Sequence, residues 1–142
     1  MDEKGIPPNA ARRIELAHLI VEKAEQTGVN REDVIIDCLN MPAAANPSAP
    51  GVLLESLQAV RSQLGTNLTL GASNVSFGLP ERSLLNGVFL SIIIHLGVNC
   101  PVVDAAKVRQ YILAADALLG RDQYMRRFIQ DYRKRQKAQQ PA

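Results

Sequence analysis

The sequence predicts an α/β protein built on a parallel sheet. Three short apolar segments of strand length alternate with longer segments in which apolar residues recur every three or four positions. Glycine follows four of the helical segments, where a helix is expected to end: Gly28, Gly65, Gly97 and Gly120. A helix between each pair of consecutive strands indicates right-handed βαβ units with all strands parallel.

The first helix is predicted to start after Pro7 and Pro8, with Asn9 as its cap, and to run to about Thr27. Its apolar face is predicted to contain Ile14, Ala17, Ile20, Val21 and Ala24, with Arg13 among the solvated residues opposite. The first strand, Val34 to Cys38, is continuously apolar except for Asp37. A carboxylate at that strand end must face a ligand, a hydrogen-bond partner or water.

A proline-containing loop leads to the second helix, 51–64, and then to the second strand, 66–70. The third helix, 83–96, is apolar on most sides, and the third strand is predicted at 100–103. Asp104 is the predicted cap of a helix that reaches Leu119. The last helix, 122–135, is expected to pack through Tyr124, Phe128, Ile129 and Tyr132 while its basic residues stay solvated.

The loop after the second strand, 71–82, is small and polar, and it contains Asn74. In parallel α/β folds the loops at the carboxyl ends of the strands carry the chemistry, which makes Asn74 a candidate site residue. Alternatively, Gly71, Gly78 and Pro80 only turn the chain, and the polar side chains satisfy loose backbone groups.

Composition narrows the classes of protein. The chain has 142 residues, 46% of them apolar and 21% charged, as expected for one soluble globular domain. A net charge of +2 does not indicate nucleic acid as a partner. No apolar run has membrane-spanning length and no signal peptide is recognisable, so no membrane partner and a cytoplasmic location are predicted.

The cysteines and histidines give no pattern typical of a metal site, and no bound metal is predicted. Cys38 and Cys100 each fall in a predicted buried strand, as expected for free thiols that behave as small apolar residues. His18 and His95 fall within helical patterns, where a partly buried, satisfied histidine is the favoured interpretation.

The amino-acid sequence of the polar loop resembles that of a known protein family. Gly-Ala-Ser-Asn-Val-Ser-Phe-Gly-Leu-Pro-Glu-Arg at 71–82, followed by Leu85-Asn86 and Phe89-Leu90, closely resembles the methyltetrahydrofolate:corrinoid methyltransferases and the folate domain of cobalamin-dependent methionine synthase. The resemblance covers 1–135 and implies the C-terminal half of a (β/α)8 TIM barrel, with strands equivalent to the sixth, seventh and eighth. Residues 1–137 would form this partial pterin-binding domain and 138–142 a disordered tail.

The resemblance also implies a site and its partners. Asp37 matches the aspartate that binds the pterin, and Asn74 matches the catalytic asparagine near N5, the methylated nitrogen. Ser73, Ser76 and Arg82 are implied as further pterin contacts. The methyl donor would be 5-methyltetrahydrofolate, and the acceptor the cobalt of a corrinoid (cobalamin) carried by a partner protein. Cys38, where a proline commonly stands, and Asn40 depart from the family pattern.

Three strands cannot close a barrel, so a complementary N-terminal half-barrel or self-association is expected. With half of its site missing, the isolated chain is expected to be inactive. Two alternatives remain. One is a dihydropteroate synthase-like enzyme, although the loop at 71–76 lacks the basic residue of that family. The other is a catalytically silent half-barrel that associates through its open sheet edges.

Overall fold

Five α-helices, three short 3-10 helices and a small parallel sheet make up the computed structural model, which describes residue 3 and residues 5–139. The strands are β1 (Ile35–Asp37) and β2 (Asn67–Thr69). The helices are α1 (Ala10–Gln26), α2 (Ala49–Leu64), α3 (Arg82–His95), α4 (Ala105–Leu118) and α5 (Arg126–Gln139). The predicted mixed α/β class is confirmed. The part of the predicted tail at 140–142 lies outside the described residues.

The two strands pair in parallel, with Ile35 opposite Asn67 and Asp37 opposite Thr69. The prediction of a full third strand at 100–103 is wrong for the described residues, which form a single parallel bridge between Gly71 and Val102. The segment still runs alongside β2, because Cys100 and Val102 donate their N–H groups to the carbonyls of Leu68 and Leu70 at 3.1 and 2.9 Å. β2 therefore lies in the middle of a three-membered parallel layer.

Both outer members of this layer carry exposed apolar side chains. Ile35 on β1 is 53% exposed, and Val102 on the other side is 68% exposed. The interior of the layer is dry by contrast, with Leu68 and Leu70 fully buried against Leu53 and Leu57 of α2 in one apolar cluster. Each outer member of this layer has one side that pairs with no strand among the described residues, so a further strand has room on either side.

Local sequence signals set the helix ends. The side chain of Asn9 accepts a hydrogen bond from the N–H of Arg12 at 2.9 Å, as predicted for the α1 cap. Gly65 ends α2 in the left-handed conformation, with φ of +69°. Asp104 is the N-cap residue of α4, as predicted, and its carboxylate pairs with Lys107 at 3.0 Å.

The last helix reaches α4 through an ion pair between Asp131 and Arg109, while Arg135, which also pairs with Asp131, lies on α5 itself. Asp131 of α5 accepts from Arg109 at 3.0 Å and from Arg135 at 2.9 Å, and these contacts lower the pKa of its carboxyl group, with Arg135 the main cause. The prediction that Tyr124, Ile129 and Tyr132 pack inward is wrong, because all three are exposed. No helix among the described residues has the length and apolar character to cross a membrane.

Gly87 lets α3 and α4 approach closely, which gives a stability prediction. A Cβ at Gly87 would lie 2.4 Å from Cε1 of Tyr111, far inside normal contact. We expect Gly87→Ala to lower the free energy of unfolding by about 1–3 kcal/mol, the usual cost of overpacking. Gly51→Ala is the matched control, since Gly51 lies in α2 with open space around it. There, alanine should be neutral or stabilise by up to about 1 kcal/mol.

Urea unfolding of the two variants measures both values. A Gly87→Ala protein as stable as the Gly51→Ala protein would show that the helices separate without cost.

Candidate functional site

The carboxyl ends of β1 and β2 lie at the same edge of the sheet, because the strands are parallel and in register. Asp37 is the last residue of β1, and the polar loop that follows β2 begins with a 3-10 helix, Ala72–Ser76. Both Asp37 and Asn74 are exposed at this edge. Asp37 thus satisfies the requirement that a carboxylate here meet water or a partner.

The loop after β1 is held by a buried arginine. Arg13 of α1 donates from Nη1 to the carbonyls of Cys38 and Leu39, at 2.7 and 3.0 Å, and from Nε to the carbonyl of Pro7 at 3.2 Å. The prediction that Arg13 is solvated is wrong, since it is only 8% exposed. Burial lowers the pKa of the Arg13 guanidinium from its usual value. Arg13 lies three residues after Ala10 and four before Ala17, and this helical spacing is the sequence signal that could have placed it on the buried face.

Leu39 has a strained backbone between these contacts, with φ of +62°. Its N–H donates to Oδ1 of Asp37 at 2.8 Å while its carbonyl accepts from Arg13. A branched side chain in the left-handed region is uncommon and costs on the order of 1–3 kcal/mol. The hydrogen bonds on both sides of Leu39 compensate that cost and fix one oxygen of the Asp37 carboxylate.

Asn40 ties the two loops together. Its Nδ2 donates to the backbone carbonyls of Gly71 and Ala72, at 2.7 and 3.3 Å. The backbone carbonyl of Asn40 accepts from Nδ2 of Asn74 at 3.4 Å. Because two carbonyls face the amide nitrogen, the Asn40 amide has only one favourable orientation. The sequence marked Asn40 only as a departure from the family pattern, and no local pattern could show which loop it would reach.

Asn74 keeps most of its hydrogen-bonding capacity. Its only side-chain hydrogen bond within the described residues is the long one to the Asn40 carbonyl. At 3.4 Å this bond is longer than the usual N–H···O range of about 2.7–3.2 Å, so it is weak and is readily exchanged for a ligand. Asn74 can therefore offer an N–H or an oxygen to a molecule bound at this edge.

A second cluster lies on the far side of the same loop. The hydroxyl of Ser76 is 2.7 Å from Oδ1 of Asn86 and accepts from Nε of Arg82 at 3.1 Å, while Nη2 of Arg82 donates to the carbonyl of Ser73 at 3.3 Å. The Arg82 guanidinium also lies over the ring of Phe77. Ser76 is fully buried, so in this structure it orients Arg82 and the loop. A direct substrate contact by Ser76 stays a prediction.

A cavity of about 480 Å³ adjoins this second cluster, between α3 and α4. Ser73 and Arg82 are among its lining residues, whereas Asp37, Asn74 and Ser76 are not. The predicted site residues therefore form two groups on the two sides of the 71–76 loop. Sequence patterns did not reveal the cavity, because it depends on how Tyr111 packs over Gly87.

The two thiols differ in environment, which gives a second prediction. Cys38 is free and buried, and burial is the main cause that raises its pKa to about 12. Cys100 is also free, but the prediction that it is buried is wrong, since it is exposed on the outer segment of the sheet. We expect one rapidly modified thiol per native chain at pH 8 and two after denaturation, because only the thiolate reacts.

Mass spectrometry after timed iodoacetamide treatment measures this difference. The Cys100→Ser variant should stay unmodified while folded. Rapid modification of that variant would contradict the buried position of Cys38.

Among the described residues, no group of three or more His, Cys, Asp and Glu side chains is arranged to hold a metal ion. The prediction that His18 and His95 are partly buried is wrong, since both are exposed, and His18 forms a hydrogen bond with Gln63 at 3.0 Å. The polar chemistry of the site thus comes from amide, carboxylate, hydroxyl and guanidinium groups.

Comparison with known proteins identifies the family to which this chain belongs. Methylcorrinoid:tetrahydrofolate methyltransferase of Eubacterium limosum is 31% identical over 136 residues, which cover 93% of this chain and 50% of that protein. Methionine synthases of Mycobacterium leprae (strain TN) and Mycobacterium tuberculosis (strain ATCC 25618 / H37Rv) are each 31% identical over 116 residues, which cover 76% of this chain and 10% of each enzyme. The chain thus spans about half the length of the first relative and far less of the other two.

The family described as pterin binding enzyme matches residues 9–104, a range that contains both groups of predicted site residues. Since this match covers more than half of the chain, the protein belongs to the pterin-binding enzyme family.

Proposed function

We propose that this chain forms the C-terminal half of a (β/α)8 barrel that transfers the methyl group of 5-methyltetrahydrofolate to the cobalt of a corrinoid protein. The observation that carries the proposal is the placement of Asp37 and Asn74 at one sheet edge, on loops joined through Asn40. The relatives named as methyltransferase and methionine synthase support the reaction class. The strands β1 and β2 and the segment 100–102 would correspond to the sixth, seventh and eighth barrel strands.

In this proposal Asp37 holds the pterin ring. One carboxylate oxygen is fixed by the N–H of Leu39, which leaves the other to accept from the ring N–H groups. A carboxylate accepts such bonds more strongly than a neutral amide does. Asp37 would therefore contribute mainly to substrate affinity.

Asn74 would act at the nitrogen that loses the methyl group. When the C–N5 bond breaks, its electron pair stays on N5, while cobalt(I) supplies the pair for the new bond to carbon. Without a proton N5 would have to leave as an amide anion, which is a poor leaving group, so N5 needs a proton or a strong hydrogen bond as the methyl group departs. The Asn74 amide can donate that bond without changing its own charge, and its weak contact with Asn40 makes it available.

Ser73, Ser76 and Arg82 would shape the loop that carries Asn74. Arg82 bridges the Ser76 hydroxyl and the Ser73 carbonyl, on either side of Asn74 in the chain. A loop held at both ends keeps the amide in place as charge develops on N5. The corrinoid protein would dock over the same loop face.

The remaining strands would come from a complementary N-terminal half-barrel or a second copy of this chain. The exposed Ile35 and Val102 at the two outer members of the sheet are the apolar surfaces that such strands would cover. A chain that associates through these open edges without forming a working site would instead be the catalytically silent half-barrel.

Reconstitution tests the proposal. The chain is mixed with the N-terminal half of a full-length relative, and methyl transfer from 5-methyltetrahydrofolate to cob(I)alamin is followed by the absorbance change of the corrinoid. We expect turnover with both halves and none with either alone. A stable two-part complex that binds folate but never transfers the methyl group would reject the methyltransferase function, and dihydropteroate formation by that complex would establish the alternative enzyme.

A further inference from the structure

We propose that Asn40 is a positioning residue for Asn74, because its side-chain amide sets where the 71–76 loop lies relative to Asp37. The inference rests on the proposed function, in which Asp37 holds the pterin ring and Asn74 donates to N5. Asn40 is one of the positions at which the sequence departs from the family pattern, so the resemblance assigns no role to it.

The side chain of Asn40 reaches the start of the loop from the β1 side of the sheet. Its Nδ2 is 2.7 Å from the carbonyl oxygen of Gly71 and 3.3 Å from that of Ala72, 31 and 32 positions along the chain. A distance of 2.7 Å is at the short end of the N–H···O range of about 2.7–3.2 Å. The amide of Asn40 therefore holds the loop closely, two to three residues before Asn74.

This hydrogen bond is not needed to satisfy an otherwise unpaired carbonyl, since the Gly71 carbonyl also accepts from the N–H of Asn74 at 3.2 Å. The bond even leaves a polar atom unpaired. Asn40 is only 6% exposed, and its Oδ1 is buried without a hydrogen-bond partner among the described residues. An unpaired buried acceptor lowers stability, and an apolar side chain would avoid that loss. The stability of the fold thus does not explain the amide, whereas the position that it gives to the loop does.

One short segment, 37–40, fixes both proposed substrate contacts. The N–H of Leu39 holds Oδ1 of Asp37 at 2.8 Å. The next residue, Asn40, holds the start of the loop with its side chain and the Asn74 amide with its backbone carbonyl. The distance between the Asp37 carboxylate and the Asn74 amide therefore depends on Asn40. Displacement of a catalytic group by about 1 Å can lower a rate by about 10²-fold.

The loop is also attached at points that do not involve the Asn40 side chain. The N–H of Ala72 donates to the carbonyl of Val102 at 3.2 Å, and the N–H of Ala43 donates to the carbonyl of Val75 at 3.1 Å. These bonds remain when the amide of Asn40 is removed. A variant at this position should therefore fold, with the start of the loop displaced and the rest of it in place.

Transfer kinetics of the reconstituted barrel test the inference. Asn40→Ala removes the amide, and Asn40→Asp keeps its shape but places an oxygen against the two loop carbonyls. We expect each change to slow transfer at saturating folate by about tenfold or more, while the folate dissociation constant changes less than about threefold. A slow Asn40→Ala variant beside an Asn40→Asp variant with the parent rate would mean that Asn40 only fills space, and would overturn the inference.

Combination with Asn74→Ala shows whether Asn40 acts through Asn74, and it does not require the Asn40→Asp protein to fold. The double variant Asn40→Ala/Asn74→Ala should transfer within about threefold of Asn74→Ala alone, because the group that Asn40 positions is already absent. Rate losses that multiply in the double variant would overturn the inference.

Asn67→Ala is the matched control. Nδ2 of Asn67 also donates to a backbone carbonyl of a neighbouring segment, that of Glu32 at 2.6 Å, but Asn67 lies at the amino end of β2. Removal of this amide should leave the transfer rate within about twofold of the parent rate, as expected for a site that is independent of the loop. A loss equal to that of Asn40→Ala would show a general effect of destabilisation and would overturn the inference.

Nuclear magnetic resonance of the isolated chain separates this inference from the methyltransferase proposal, since it needs no other half. The backbone order parameters of Ser73 and Asn74 should be about 0.85 in the parent chain, fall to about 0.6 in Asn40→Ala and stay unchanged in Asn67→Ala. If they fall only in Asn40→Ala while the reconstituted barrel transfers no methyl group, the positioning role stands and the methyltransferase proposal fails. If the barrel transfers the methyl group, and Asn40→Ala has the rate and order parameters of the parent, the inference fails and the function stands.

Discussion

Asn74→Ala is expected to slow methyl transfer in the completed barrel by about 10²–10³-fold, the usual effect of removing one preorganised donor from a developing negative charge. The hydrogen bond to N5 strengthens only as the electron pair arrives there, so its loss acts on the transition state more than on bound substrate. The dissociation constant of methyltetrahydrofolate should change by less than about fivefold, the scale of one neutral hydrogen bond.

Asp37→Asn should weaken folate binding more than it slows methyl transfer, the opposite of Asn74→Ala. Its proposed partners are ring N–H groups away from the breaking bond, which hold equally in the ground state and the transition state. Affinity should fall about tenfold or more, because a charge-assisted hydrogen bond is lost, while the rate at saturating folate stays near that of the parent protein.

Transfer rates at saturating folate and folate dissociation constants, measured for both variants, separate the two roles. Asn30→Ala and Asp33→Asn are matched controls, since these exposed residues precede β1, at the opposite end of the strand from Asp37. Equal losses of rate in the two site variants, with binding unchanged, would mean that the roles of Asp37 and Asn74 are assigned wrongly.

The second large effect concerns the chain by itself. We expect the isolated chain to bind methyltetrahydrofolate at least about 10²-fold more weakly than the reconstituted barrel. The half of the site that the missing strands would carry is absent, and each lost charge-assisted hydrogen bond costs about 1.5–3 kcal/mol. Fluorescence titration of the chain, with and without the N-terminal half, measures the difference.

Light scattering on the same samples gives the composition of the complex. The expected result is a one-to-one complex of the two halves that regains affinity. If the chain alone bound methyltetrahydrofolate with micromolar affinity as a monomer, the prediction that it carries only half of the folate site would be wrong.

Much of the fold follows from local sequence signals. Asn9 and Gly65 mark helix ends in the sequence because the cap and the left-handed turn each involve neighbouring residues only. The third strand failed as a prediction for a different reason. Segment 100–103 has the composition of a strand, yet how far it pairs depends on β2 and on what lies beyond Val102, and neither is encoded locally.

The residues of the candidate site also fall into two groups, those that local sequence signals predicted and those that they did not. Asp37 and Asn74 were predicted as site residues because polar residues at the ends of apolar strands are visible in the sequence. The amino-acid sequence of the loop at 71–82 also resembles that of a known family. Arg13 and Asn40 were missed because each contacts residues far along the chain, 25 positions away for Cys38 and 31 for Gly71. Such partners can be found only once the helices and loops are placed in space.

Each helix of this fold packs mainly on its neighbour in the chain, α1 on α2, α3 on α4 and α4 on α5. Contacts between sequence neighbours close short loops, and chains rich in them fold fast, since little entropy is lost before the contacts form. The apolar cluster around Leu53 and Leu57 can therefore form before any outside strand reaches Ile35. Folding and assembly of the barrel would then be separate steps, with only the second dependent on protein concentration.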